Sequence, residues 1–283
     1  MPKYKLSNNL YPFFCYYGGK WRTAKWYANP LYPNIIEPFA GAAGYSLRYP
    51  DHQVTLYDTD PAIFGIWDYL IKITPHEIRQ LPINVTNVHD LSIPQEAKWL
   101  IGFWLNKGTS SPQAKPSAWM RGGTRPNSYW GEIIRERIAN QVDRIKHWKV
   151  INQSYETANN IPATWFIDPP YQGPCGKHYV CKFEHYDLLS KWCQQRQGQT
   201  IVCEQAGATW LPFQHFRTIR TNPSKRGKSK SHEVMWTNLN ICPLCIPVTL
   251  DHPQTIPHES VNEQTSVLPA AQLDSIQEWL PTT

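Results

Sequence analysis

Residues 34–58 constrain the fold more than any other part of the chain. Residues 34–39 (NIIEPF) read as an apolar strand, and Ala40-Gly41-Ala42-Ala43-Gly44 as a turn of small residues, with a helix-like stretch starting at Tyr45. Residues 54–58 (VTLYD) form a second strand, after which Pro61 opens a helical pattern through Ile63, Ile66, Trp67, Leu70 and Ile71. Strand, Gly-rich turn, helix, strand, helix is the start of a doubly wound α/β sheet, in which ligands lie beyond the carboxyl ends of the strands.

The rhythm lapses over about residues 74–149. That segment holds a Gly/Ser/Pro/Arg-rich stretch at 107–128 and a helix pattern at 129–148. It resumes with a buried strand at 164–167 (TWFI) ending at Asp168, a helix around 185–197 and a strand at 200–205 (TIVCEQ). Residues 218–220 and 233–237 read as a late hairpin around a basic loop. The expected organisation is an α/β domain over 11–73 and 150–245, an inserted, mainly helical region over 74–149, and a flexible acidic tail over 246–283. The tail is expected to hold one short amphipathic turn near 273–280.

With 41% hydrophobic residues the chain can build a packed core; its 13 Trp and 15 Tyr can equally fill that core or stack on bases. The net charge of +6 is uneven: residues 247–283 contain five acids and no Lys or Arg, so the tail carries −5 and the rest of the chain +11. A basic body suits a polyanionic partner. The seven cysteines are odd in number, no signal peptide opens the chain and no apolar run reaches membrane-spanning length, so a reducing, cytoplasmic setting without membrane is expected. Cys242 and Cys245 have zinc-like spacing but lack a second pair, and no metal site is expected.

The sharpest chemical feature is Asp168-Pro169-Pro170-Tyr171, directly after an apolar strand. An exocyclic amine on a base is a poor nucleophile because its lone pair is delocalised into the ring. A carboxylate accepting one amino hydrogen and a carbonyl accepting the other favour a pyramidal nitrogen. Two prolines remove N–H donors and stiffen the carbonyl that is presented. Tyr171 can stack on a base turned out of a duplex; the plainer reading is a Pro turn with Tyr171 as packing.

Glu37-Pro38-Phe39-Ala40-Gly41-Ala42-Ala43-Gly44 lets backbone approach a nucleoside-type cofactor. Asp58 stands where an acid can accept ribose hydroxyls, or can cap a helix together with Asp60. Tyr16-Tyr17-Gly18-Gly19-Lys20 is not a P-loop, since the upstream Gly is missing and Trp21 replaces Ser or Thr; a glycine pair carrying an aromatic and a Lys could close over a cofactor.

In this order, YYGGK, EPFAGAAG, YDTD and DPPY, followed by the late segment Glu233-Val234-Met235-Trp236-Thr237-Asn238, resemble the Dam-like, α-group DNA adenine-N6 methyltransferases, including phage-encoded members. The resemblance spans about residues 11–240. It implies a Rossmann-like sheet binding S-adenosylmethionine, with a target-recognition region inserted before DPPY. It further implies that Tyr16, Tyr17, Gly18, Gly19 and Lys20 border the cofactor or flipped-base pocket. Glu37, Pro38, Phe39, Ala40 and Gly41 would line the methionine part of the cofactor and Asp58 its ribose. Asp168, Pro169, Pro170 and Tyr171 would hold the adenine, with Asp168 also facing the cofactor. One departure is visible: the family's FxGxG places its second glycine where this chain has Ala43, and Gly44 follows.

Two segments suit DNA. Residues 107–149 carry nine cations, including Arg121 and Arg125, interleaved with Trp119, Tyr129 and Trp130. The loop holding Lys225, Arg226, Lys228 and Lys230 contains no apolar residue, which suits phosphate contact; a solvated face is the alternative for both. The resemblance therefore implies double-stranded DNA as partner, a monomer or weak dimer, and a setting in a bacterial or phage-infected cell, with a companion endonuclease where the enzyme serves restriction-modification. Cytosine-N4 methylation on the same scaffold and an inactive DNA-binding relative are the competing readings. Asp168 in DPPY favours adenine, and intact Asp58, Asp168 and Tyr171 favour turnover.

Overall fold

The computed structural model describes residues 9–122, 128–173, 176, 178–220 and 230–239, and every count or absence below refers to these described residues. Strands β1 (Asn34–Glu37), β2 (Gln53–Tyr57), β3 (Lys149–Ile151), β4 (Ala163–Ile167), β5 (Gly198–Gln205), β6 (Gln214–Arg220) and β7 (Lys230–Thr237) form one sheet in the order β3-β2-β1-β4-β5-β7-β6. The first five run parallel, and β7 enters antiparallel between β5 and β6. This is the α/β, Rossmann-like sheet implied by the sequence. Its strand order departs from β1 in both directions, so the switch point lies between β1 and β4, where such sheets bind ligands.

Local chemistry sets where these elements begin and end. β1 stops at Glu37 because Pro38 has no N–H to continue the ladder. All five residues of β4 are buried, as expected of a central parallel strand. Helix α1 (Pro61–Lys72) starts with Pro61 in its first turn and Asp60 capping it, the carboxylate accepting from the Ala62 amide at 2.8 Å. Its apolar face of Ile63, Ile66, Trp67 and Leu70 is buried. Thr74 then forms a capping box with Glu77 and starts α2 (Pro75–Gln80).

Two helix expectations are corrected. The stretch after Tyr45 is a single 3-10 turn, Ser46–Arg48, because Pro50 disfavours helical geometry at Tyr49 and Tyr45 is stacked on Phe166 at 4.4 Å. The pattern at 129–148 breaks into α5 (Glu132–Ala139) and a 3-10 turn, Val142–Ile145. Between them the buried Gln141 side chain binds both backbone groups of Tyr11, at 2.9 and 2.8 Å.

The segment between α1 and β3 contains α2, α3 (Gln95–Leu105), α4 (Ala118–Arg121) and α5. It rests directly on the sheet domain. Helix α3 packs on α1, and its Trp104 donates Nε1–H to the Phe13 carbonyl at 2.8 Å. One buried cluster joins Ile35 and Leu56 of the sheet and Trp67 of α1 to Phe103, Trp130, Ile134 and Ile138 of this segment. Helix α6 (Tyr186–Gln194) covers the other face through Leu189 and Cys193. The acidic tail and the Cys242/Cys245 pair lie outside the described residues. No helix is long and apolar enough to cross a membrane.

Candidate active site

Loops leaving β1, β2, β3 and β4 surround one cleft of about 910 Å³, its open mouth included. It brings together Tyr16, Tyr17, Gly18, Gly19, Lys20, Glu37, Pro38, Phe39, Ala40, Gly41, Asp58, Asp168 and Pro170, which lie far apart in sequence.

On the β4 side, Asp168 meets Lys20. The Lys20 ammonium lies 2.8 Å from Asp168 Oδ1 and donates to Oδ2 at 3.0 Å and to the Gly18 carbonyl at 3.0 Å. It also sits 4.8 Å from the centre of the Tyr171 ring. Lys20 is 4% exposed and the Asp168 side chain 15%, so this pair is largely withdrawn from water. Burial alone would lower the Lys20 pKa; the Asp168 and Glu233 carboxylates outweigh it and hold the amine firmly charged. Tyr171 is buried, one face of its ring carries the ammonium, and it packs against the Lys20–Asp168 pair without lining the cleft. Pro169 is buried behind it, and the Pro170 carbonyl accepts from the Tyr186 hydroxyl at 2.8 Å, which fixes the DPPY turn against α6.

On the β2 side, Asp58 ties the loops together. Its Oδ2 accepts from the Gly41 amide at 2.9 Å and its Oδ1 from the Asp60 amide at 3.0 Å. The helix cap is therefore Asp60, and Asp58 faces the cleft. Burial raises the Asp58 pKa to about 6, against the opposing backbone hydrogen bonds. Glu37 borders the cleft, yet its Oε1 accepts from the Ser46 amide at 2.8 Å, which makes it a brace for the β1 loop. Burial lifts its pKa to about 8, so it is mostly protonated at neutral pH. Trp67 braces the same loop from α1, donating to the Gly41 carbonyl at 2.8 Å.

The loop's departure from FxGxG has a backbone consequence. Ala43 holds φ +47°, a left-handed geometry that favours glycine, so the position keeps the conformation without the usual residue. Gly44 is required for a different reason. A Cβ there would lie 2.4 Å from the Trp21 amide nitrogen and 2.8 Å from the Lys20 carbonyl carbon. The missing side chain lets the segment carrying Lys20 approach the cleft.

Sequence reasoning missed a second set of lining residues: Ser154 and Tyr155 after β3, and Tyr179, Cys181, Lys182 and Phe183 before α6. Phe39 stacks on Tyr155 at 5.3 Å, and Phe183 packs edge-on against Phe39, 5.8 Å away. Tyr179 crosses the mouth beside Tyr16 and Tyr17, with ring centres 6.2 and 5.4 Å away. None of these residues belongs to a recognisable motif; their only signal was position, after a strand end or before a helix.

The residues expected at DNA divide. Trp130 is a correction: it is 3% exposed and donates Nε1–H to the Pro82 carbonyl at 2.7 Å, so it is core. Tyr129 is partly exposed, with the Lys107 ammonium 5.5 Å from its ring centre. Arg121, at the end of α4, is exposed and donates to the Pro116 carbonyl. Trp119 lies on α4 and Lys230 opens β7. Arg125, Lys225, Arg226 and Lys228 lie outside the described residues. Several of the nine cations serve the fold instead. Arg137 packs over the rings of Tyr11 and Trp104, Arg144 bridges Asp51 at 2.8 Å, and Lys146 donates to the carbonyls of Leu70 and Ile73 at the end of α1.

No known family profile matches the chain, and no curated protein matches it. Among solved structures, a candidate methylase from Haemophilus influenzae is similar over 73% of this chain and 79% of its own, at 14% identity and a TM-score of 0.31. An overlap this loose carries no inference about function.

Proposed function

We propose that this chain is a DNA methyltransferase that transfers a methyl group from S-adenosylmethionine to the exocyclic N6 of an adenine flipped out of the duplex. One observation carries the reading: a single cleft at the switch point joins Asp58 on the β2 side to Asp168 on the β4 side. The residues present fit such a cofactor. The aromatic faces of Tyr155 and Phe183 suit its adenine, joined there by Phe39, which was expected at the methionine part but stacks on Tyr155; the Asp58 carboxylate suits its ribose hydroxyls, and the small-residue loop 40–44 close backbone approach.

The cofactor supplies an activated methyl group on a sulfonium that leaves readily. The chain supplies alignment. Asp168 accepts an amino hydrogen from the target base and orients the nitrogen lone pair, and Pro169 and Pro170 hold that carboxylate at a stiff turn. Asp168 is only 15% exposed and Tyr171 is buried, which limits competition from water. Positioning of this kind can supply on the order of 7–11 kcal/mol of the barrier. Asp168 orients the amine; the nitrogen's proton becomes acidic only after the new N–C bond has formed.

The test is to incubate the protein with methyl-labelled S-adenosylmethionine and unmethylated DNA, digest the DNA and identify the modified nucleoside. N6-methyladenine is the expected product. Label on cytosine N4 would move the assignment to the sister reaction, and unlabelled DNA would refute the proposal.

A further inference from the structure

The first acid in the chain is Glu37, and no Asp or Glu stands between Glu204 and Glu233. The fold brings these two acid-free stretches together. The first carries Arg22, Lys25 and Trp26 on the turn that leads away from Lys20 in the cleft wall; the Lys20 carbonyl accepts from the amides of Thr23 and Ala24 and holds this turn to the cleft. The second is β6, the edge strand of the sheet. Its Arg217 is opposite Glu233 of β7, which is itself opposite Gln205, the last residue of β5. Arg217 therefore stands at the edge where the parallel strands end and the cleft opens.

The contact depends on an irregularity in β6. His215 pairs with Val234 and Arg217 with Glu233, so Phe216 is an extra residue, a β-bulge. Neighbouring strand residues ordinarily point to opposite faces. Here both reach the same turn: Phe216 stacks on Tyr27 at 4.3 Å, and the Arg217 guanidinium lies 3.2 Å from the Trp26 ring centre. The Lys25 ammonium lies 4.3 Å from the centre of the same ring. The bulge thus aims a cation at an indole that already carries one. Like charges gathered in this way repel, and a carboxylate would relieve them. Among the described residues Arg22, Lys25 and Arg217 enter no ion pair, and Glu233 is buried and takes the Tyr27 hydroxyl at 3.4 Å. An indole holds a guanidinium in place without cancelling its charge, and a stacked guanidinium keeps its in-plane N–H donors for oxygen acceptors.

We propose that the turn at residues 22–27 and the bulged edge of β6 form a phosphate-binding surface beside the cleft, occupied by the sugar–phosphate backbone of a DNA duplex. The proposal rests on the methyltransferase reading for its partner. Charge complementarity selects the occupant: Arg22 and Lys25 are exposed, Arg217 is partly exposed, and the acid-free stretch runs on in sequence through Lys225, Arg226 and Lys228. Unlike Arg137 and Lys146 of the inserted region, these cations are not taken up inside the fold. Phosphate contacts position a duplex without reading its sequence. The surface therefore sets where the DNA lies relative to Asp168 and leaves base choice to other residues.

The test is the affinity of the full chain for a labelled DNA duplex, read by fluorescence anisotropy over a series of salt concentrations. Arg22→Gln, Lys25→Gln and Arg217→Gln should each reduce the slope of log affinity against log salt by about one, and the triple variant by about 2.7. The loss should be the same for duplexes of unrelated sequence. Lys191→Gln, at an exposed position on α6, should leave the slope unchanged. Arg22 and Lys25 are exposed, so their variants decide the matter even where Arg217→Gln loosens the turn. Salt-sensitive binding by the parent with unchanged slopes in the variants would show cations that only guard an edge strand against pairing with another chain. That result overturns the surface and leaves the methyltransferase reading standing. A parent that binds no duplex overturns both, and tighter binding of a duplex RNA than of DNA of the same sequence overturns the choice of occupant.

Discussion

Replacing Gly44 with alanine tests the packing that sets Lys20 in place. The added Cβ would lie 2.4 Å from the Trp21 amide nitrogen, 2.8 Å from the Lys20 carbonyl carbon and 3.0 Å from the Lys20 amide nitrogen, while ordinary contact begins at 3.4 Å. The backbone must therefore yield by at least 3.0 − 2.4 = 0.6 Å, and by 3.4 − 2.4 = 1.0 Å to restore ordinary contact. It cannot yield locally, because Trp21 Nε1 is tied to the Leu10 carbonyl at 2.7 Å and the Lys20 carbonyl accepts from Ala24 at 2.7 Å. Overpacking of this kind costs about 1–3 kcal/mol. At about 2–4 °C per kcal/mol, Tm should fall by roughly 2–12 °C. The same shift moves Lys20 against Asp168, and a displacement of about 1 Å in a positioned group can cost on the order of 100-fold in rate. Calorimetry and a methyl-transfer assay on the purified variant measure both effects. A Tm within about 1 °C of the parent, together with unchanged turnover, would show that the close approach at Gly44 does not govern the site.

The other expectations are narrower. Trp67→Phe keeps an aromatic ring in the core but leaves a void and removes the hydrogen bond to the Gly41 carbonyl; cofactor affinity, measured by titration calorimetry, should weaken by about 1 kcal/mol. Glu37 and Asp58 have folded pKa values of about 8 and about 6, above their ordinary 4.5 and 3.8, so the folded state binds the extra protons. Stability should therefore fall as pH rises towards about 6 for Asp58 and about 8 for Glu37, by up to about 1.4 kcal/mol per pH unit for each group. Glu37→Gln should flatten the upper part of this profile in denaturation midpoints, and an unchanged slope would exclude Glu37 as its source. Cofactor affinity should rise through pH 6 as Asp58 ionises to accept ribose hydroxyls. Asp168→Asn should cut methyl transfer by on the order of 10²–10³-fold while leaving cofactor affinity nearly intact; full activity would refute the role given to Asp168. Arg121→Ala should reduce the slope of log affinity for DNA against log salt by about one, whereas an unaltered slope would place Arg121 away from phosphate.

The parallel sheet and its strand-end loops were legible because their residues are chemically unusual for their positions. DPPY after an apolar strand and small residues after Glu37 leave few alternatives, and β1, β2, β4 and β5 fell within two residues of their observed ends; the short β3 was missed, and β6 and β7 begin four and three residues before the stretches read as the late hairpin. Helix extent was less legible. Periodicity at 129–148 continued across Asn140 and Gln141, yet the helix caps at Asn140, and the next residue, Gln141, is held by Tyr11, 130 residues away. The Lys20–Asp168 pair spans 148 residues and has no local signature. Trp130 was misplaced because a tryptophan reads alike in a core and at a nucleic acid. Arg137 and Lys146 were counted toward a polyanion although each is engaged inside the fold, and Arg144 although it is paired with Asp51 at the surface. Formal charge says nothing about which cations the chain has already used.

The buried cluster that runs from Ile35 through Trp67 to Phe103 and Ile138 has a consequence for how this protein can be altered. A recognition module on its own core can be exchanged as a cassette, and a linker can be cut to release it. Here the helices of residues 74–149 complete the hydrophobic underside of the sheet, so a graft from another chain would expose Trp67 and Leu56 unless it reproduced the same apolar surface. If residues 74–149 recognise DNA as proposed, changes in sequence preference are accessible mainly through side chains and loops at the rim, one position at a time.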